Sequence, residues 1–154
     1  TGLTPTTTTM RVALGYGLAN PQPACGAVNY GDREDYLVTI APPFELVMSS
    51  PLGAGSLQVN INNGTPNAPY FMAVALAAGA FPNGWFFGVD IPLNDLVNEY
   101  IAGPPFIGLL DASGNFQFGP FPGLPSGLTL YAVAVDQLFT PISRATNPVA
   151  YTIP

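Results

Sequence analysis

The 154-residue sequence is nearly half hydrophobic, yet only 8% of its residues are charged, against roughly a quarter in ordinary soluble domains. Three basic residues, all Arg, face nine acidic ones for a net charge of −6, which leaves no basic surface for nucleic acid or anionic lipid. So uncharged an exterior must be covered either by neutral polar side chains or by other subunits.

The length accommodates one or two compact modules. Seventeen Gly and 18 Pro punctuate short apolar stretches, the spacing of an antiparallel β-sandwich of immunoglobulin-like or jelly-roll-like type. Residues 6–16 predict a first strand, entered through a segment in which six of the first nine residues are Thr. A long loop, 17–31, is expected next, then a strand at 36–40. The pair Pro42–Pro43 interrupts any ladder and sets the expected boundary, with partial strands in 1–41 and a β-sandwich module in 42–154. Strands follow at 44–48 and 56–61, the second alternating Leu57, Val59 and Ile61 with Gln58, Asn60 and Asn62, so that one face is buried. Asn63–Gly64 reads as a turn returning the chain through 70–76, and 85–89 is expected to continue the sheet.

From Pro92, the residues Leu93, Leu96, Val97, Tyr100 and Ile101 recur at helical spacing, with Asp90 as a candidate cap and Gly103 as a stop. This predicts a single short helix over 92–102. Segments 109–111 and 116–118 flank a tight turn at 112–115. Residues 128–135 are apolar on both faces, as a central strand covered on each side requires, and 149–153 close the fold. No apolar run reaches the ~20 residues of a bilayer-spanning helix, and no basic leader with an apolar core opens the chain, so a mature or processed form is expected.

Met10–Arg11–Val12, then Pro23–Ala24–Cys25–Gly26, then Tyr30–Gly31–Asp32–Arg33–Glu34–Asp35–Tyr36–Leu37–Val38–Thr39–Ile40 together resemble the closing part of the GEVED domain, a bacterial extracellular β-sandwich module. The likeness covers about residues 8–41 and departs at Asp32 and Arg33, where the family usually has Glu and Val. Asn67–Ala68–Pro69, the run Leu110 to Asn115, Gly127–Leu128–Thr129–Leu130–Tyr131 and the final Pro148 to Ile153 resemble a β-rich module near the carboxyl ends of secreted planctomycete and myxobacterial proteins. These resemblances imply an extracellular or cell-surface location, and neither family carries an established catalytic site.

The chemistry-bearing side chains are few. There is no His and no Lys, and Cys25 is the only cysteine, which removes the commonest general base, Schiff-base chemistry, Cys-rich zinc sites and phosphate loops. The carboxylates Asp90, Asp95, Glu99, Asp111 and Asp136 have no signature setting two of them across a cleft as glycoside hydrolysis requires; each reads more simply as a turn, cap or solvated residue. No enzyme activity and no cofactor are expected. Asp32, Glu34 and Asp35 offer oxygen ligands to Ca²⁺, or Glu34 or Asp35 pairs with Arg11 on a facing strand, the simpler reading. The aromatics Phe81, Trp85, Phe86, Phe87, Phe106, Phe116, Phe118 and Phe121 are read as core before sugar-stacking platforms. Asn63–Gly64–Thr65 and the Thr run are weak glycosylation signals, and Cys25 is either a buried thiol or an intermolecular disulfide.

The resemblance also implies that the opening strands belong to a sandwich whose other strands the chain does not supply. Unpaired strand edges are templates for further pairing, so these strands would join the downstream sheet or complete one in a neighbouring copy. Head-to-tail repetition of the second arrangement yields a fibre. The expectation is therefore an extracellular structural subunit that polymerises with copies of itself, with Thr6, Thr8, Met10, Val12 and Leu14 as the alternating interface positions. A monomeric carbohydrate-binding or adhesion module, with glycans as partners, is the alternative.

Overall fold

The structure, a computed structural model, describes residues 6–15, 31–77 and 84–154. Among the described residues the fold is all-β, an antiparallel β-sandwich with one short helix. The chain divides into two compact units, Thr1–Pro42 and Pro43–Pro154. Among the described residues no helix is long and apolar enough to cross a membrane.

In the first unit, strand β1 (Thr6–Gly15) pairs antiparallel with β2 (Gly31–Ile40), from Thr6 opposite Ile40 to Gly15 opposite Gly31 without a bulge. β2 thus begins five residues before the strand expected at 36–40. The charged run Asp32 to Asp35 extends the ladder because its members have cross-strand partners; Arg11 faces Asp35 and donates from Nε and Nη2 to its two oxygens at 2.6 and 2.7 Å. The pairing of Arg11 with this acidic run was legible from sequence. The loop expected at 17–31 and Cys25 lie outside the described residues, apart from Gly31.

The second unit packs two sheets. One holds β3 (Glu45–Ser49), β4 (Leu57–Asn62) and β7 (Phe116–Phe121) in the order β3-β4-β7. The other runs β10 (Val149–Thr152), β8 (Thr129–Asp136), β5 (Pro69–Ala75), β6 (Ile107–Leu109), with β9 (Arg144–Ala145) also on β8. Leu57, Val59 and Ile61 of β4 point inward with Met72, Leu130, Ala132 and Ile153 to form the core between the sheets. On the opposite face of the larger sheet, Phe71, Ala73, Val133 and Val135 pack with Phe86, Val89 and Ile91. β8 is therefore apolar on both faces because it is covered on both, as a central strand should be.

Two expectations are corrected by the sheet topology. The Asn63–Gly64 corner does not return the chain beside β4; β4 and β5 lie in different sheets. The corner instead docks against the turn at Asp111–Asn115, with Gly64 N–H bonded to Gly114 O at 2.8 Å. A Cβ on Gly114 would overlap the Gly64 carbonyl, and Asn63 is left-handed at φ 59°. The 112–115 turn forms, closed by Asp111 Oδ1 accepting from the N–H groups of Ser113 and Asn115, yet it too joins strands of different sheets.

Residues 85–89 form no strand, only one antiparallel bridge between Phe86 and Val89. Gly84, Phe87 and Gly88 all have positive φ, a backbone that cannot stay extended. Helix α1 (Leu93–Ala102) matches the predicted span, stopped by Gly103 at φ 77°. Asp90 does not cap it; its Oδ1 accepts from Gly84 N–H at 2.7 Å, and no side chain caps the first turn. The two-residue β9 had no periodic signal.

Candidate assembly surface

Cross-strand partners in an antiparallel ladder share a face. One face of the β1–β2 hairpin therefore carries Thr6, Thr8, Met10 and Val12 with Ile40, Val38, Tyr36 and Glu34, and the other Thr7, Thr9 and Arg11 with Thr39, Leu37 and Asp35. The first is an apolar stripe, and it is bare: Met10, Val12, Tyr36 and Ile40 are 45–57% exposed. Thr6, Thr8, Met10 and Val12 of the expected interface positions fall on this face; Leu14 occupies the register position opposite Asp32, and its side chain lies outside the described set. The Tyr36 hydroxyl donates to Glu34, and both Asp35 oxygens are engaged by Arg11. Among the described residues no group of three metal-type side chains forms.

The sandwich unit has its own unfinished edge. β6 pairs with β5 only as far as Phe71, and the Met72 N–H is taken by the Phe106 carbonyl at 2.7 Å. The next amide facing that edge, Val74 N–H, is met by a helix side chain: both carboxylate oxygens of Glu99 accept from it at 3.2–3.3 Å. Burial pushes the Glu99 carboxyl up to about 7; the Val74 N–H draws it down and the Asp95 charge adds to the rise.

Two cavities flank this edge. On the α1 side, a cavity of about 410 Å³ is lined by Val74 and Ala75 of β5 and by Leu76 and Ala77 after it, together with Asp90, Asp95 and Glu99. Asp90 is 8% exposed, and its Oδ2 has no hydrogen-bond partner. Between the sheets, a cavity of about 200 Å³ is walled wholly by apolar residues, among them Val59, Met72, Val74, Phe106, Phe118 and Phe121. Val74 and Phe106 border both. That Asp90, Asp95 and Glu99 line one cavity is not apparent from their separate places in the sequence. Asp95 and Glu99 at i and i+4 were the available signal, since like charges at that spacing destabilise a helix unless something near them offsets the repulsion.

The remaining candidates have local roles. Asp111 closes its turn, and Asp136 is wholly buried, accepting from Thr65 N–H and Arg144 Nη2 at 2.7 Å each. Burial pushes the Asp136 carboxyl up, but the Arg144 and Thr65 hydrogen bonds and the Arg144 charge outweigh it and hold the group below the usual carboxylate range. Phe86 is core, as expected, whereas Trp85 and Phe87 are 40% and 45% exposed. The Trp85 indole donates to Ile91 O, and its ring meets Phe86 edge-on. Phe116, Phe118 and Phe121 stand half-buried along β7 with Phe118 and Phe121 ring centres 4.3 Å apart. Phe81 lies outside the described residues.

No protein-family model, curated protein or solved structure matches the chain.

Proposed function

We propose that the protein is a structural subunit of an extracellular filament or surface layer, assembled by β-strand addition between copies. The observation that carries this reading is the bare apolar face of the β1–β2 sheet, which among the described residues is two strands wide. A lone hairpin is marginal in water, and covering Met10, Val12, Tyr36 and Ile40 would contribute on the order of 1 kcal/mol or more for each. A strand added along such a pair would extend its ladder. The scarcity of charge supports the same reading, because a surface that another subunit covers has little need of solubilising groups.

The test is deletion of residues 1–16 followed by electron microscopy and size-exclusion chromatography. The intact chain is expected to give fibres or large species and the truncated chain monomers; fibres formed by the truncated chain refute strand donation. Exposure of Trp85 and Phe87 favours a second reading, a monomeric carbohydrate-binding or adhesion module. Glycan-array binding by a species that stays monomeric at all concentrations would select it.

A further inference from the structure

Among the described residues the ion pairs are Arg11 with Asp35 and Arg144 with Asp136, which leaves the three acids walling the cavity of about 410 Å³, Asp90, Asp95 and Glu99, without a counter-charge. The sequence contains no Lys, so no ammonium side chain of this protein can supply one. We propose that this cavity binds a small organic cation, an ammonium or guanidinium group on a short apolar stem, with Asp90, Asp95 and Glu99 receiving the charged head.

Asp90 is the anchor. It is 8% exposed, its Oδ1 accepts from Gly84 N–H at 2.7 Å, and its Oδ2 has no hydrogen-bond partner. A buried acceptor left without a donor is disfavoured, and a carboxylate oxygen gains most from a donor that also brings positive charge. Glu99 stands one turn beyond Asp95 on α1, and its two oxygens share a single N–H, that of Val74, at 3.2–3.3 Å. Both oxygens therefore keep lone pairs for a further donor. Like charges at this helical spacing repel, and a cation held against them turns the repulsion into attraction.

The rest of the wall selects the class of ligand. Leu76, Ile91 and Phe106 also line the cavity, and their apolar side chains suit a stem rather than a second polar group. Among the described residues no three metal-type side chains come close enough to hold one ion, whereas a bare divalent cation such as Ca²⁺ needs several oxygens in one shell. An ammonium with three donors, or a guanidinium with five, can reach acceptors that stand farther apart. Burial pushes the Glu99 carboxyl up to about 7, with the Val74 N–H opposing the rise and the Asp95 charge adding to it. Asp90 is the other acid lining the cavity, and a bound cation would draw the Glu99 carboxyl back down.

The experiment is titration calorimetry of the intact chain with hexylammonium, with hexanol and Ca²⁺ as comparison ligands and Asp90→Asn, Asp95→Asn and Glu99→Gln as variants. Asn at position 90 can keep the acceptor for Gly84 N–H, Asp95 is exposed, and fluorescence of the single Trp, Trp85, reports whether each variant stays folded. One hexylammonium is expected to bind per chain, weakened about tenfold or more by Asp90→Asn and by a smaller factor by Asp95→Asn, whose exposed charge is screened. At pH 7 binding is expected to release protons from Glu99, read as an enthalpy that varies with the ionisation heat of the buffer, and Glu99→Gln is expected to abolish that release. Binding without proton release overturns Glu99 as part of the site. Hexanol binding as tightly as hexylammonium overturns recognition of charge, and Ca²⁺ displacing hexylammonium at equal concentration overturns the organic cation as occupant. Full affinity in folded Asp90→Asn and Asp95→Asn, or no heat of binding at millimolar hexylammonium, overturns the site itself.

Discussion

Removing either member of the Arg144–Asp136 pair deletes the same ion pair, but the two losses are not equal, because Asp136 is wholly buried while the Arg144 side chain is 46% exposed. Arg144→Met keeps the apolar stem but removes the guanidinium that lies over the Phe44 ring, and it leaves a buried carboxylate with Thr65 as its remaining hydrogen-bond partner. Stranding a buried charge in this way costs about 3–5 kcal/mol. Asp136→Asn instead leaves a guanidinium that can turn to water, and an amide oxygen that can still accept from Thr65; about 1–2 kcal/mol is lost with the charge-assisted bond. The pH dependence follows from the sign of the shift. In the natural chain the folded Asp136 carboxyl titrates below its unfolded counterpart, so its contribution is complete above the ordinary carboxylate range and is lost as pH falls through the lower folded value. In Arg144→Met burial is left to dominate, the folded carboxyl rises above the ordinary range, and the deficit shrinks as pH drops toward about 4. Urea denaturation followed by Trp85 fluorescence at pH 7 and pH 4.5 measures both effects. Equal destabilisation of the two variants at pH 7, or an Arg144→Met deficit that does not change with pH, would refute the reasoning.

Glu99 has the opposite sign. With its carboxyl at about 7 in the folded chain, the folded state holds the extra proton, so stability falls as pH rises from the ordinary carboxylate value toward 7. Glu99→Gln is expected to raise stability above pH 7 by on the order of 1 kcal/mol, a figure reduced for the partial exposure of the group, and to flatten the profile across that window; a denaturation series from pH 4 to 8 checks it. Gly114→Ala is expected to cost about 3 kcal/mol or more, since it combines a backbone overlap with a left-handed conformation at φ 77°. Gly123→Ala, at φ 83° but with open space around the added carbon, is expected to cost about 1 kcal/mol; thermal melts of the two side by side separate crowding from strain.

The sequence was informative wherever a signal was local. Alternation along β4, the two-faced apolarity of β8 and the helical recurrence from Leu93 to Ile101 each reflect burial of one element's own faces, which the chain encodes residue by residue. Sheet membership was not legible in the same way. Asn63–Gly64 and Asp111–Asn115 carry ordinary turn chemistry, and nothing in either segment says that they meet each other or that the strands they join part company. Residues 85–89 have the apolar content of a strand, and the positive φ of Phe87 is imposed by the fold around it. At the candidate assembly surface, the Arg11–Asp35 pairing and the alternating face of β1 follow from period two. The acidic cavity beside β5 could not be read, because it joins α1, the segment before it and a strand edge that are separate in sequence.

The few charges of this chain also bear on how copies could approach one another. Asp35, Asp111 and Asp136 are engaged by Arg11, by a turn and by Arg144, Asp90 holds the Gly84 amide, and Glu99 holds the Val74 amide. Most of the acidic groups thus have local partners, and the net charge of −6 is spread over a molecule whose exposed surface is otherwise neutral. At physiological salt, charges farther apart than about 8 Å are largely screened, so like-charged copies repel one another weakly. In the proposed assembly, contact between copies would then be governed by what touches, above all the exposed apolar stripe of β1 and β2.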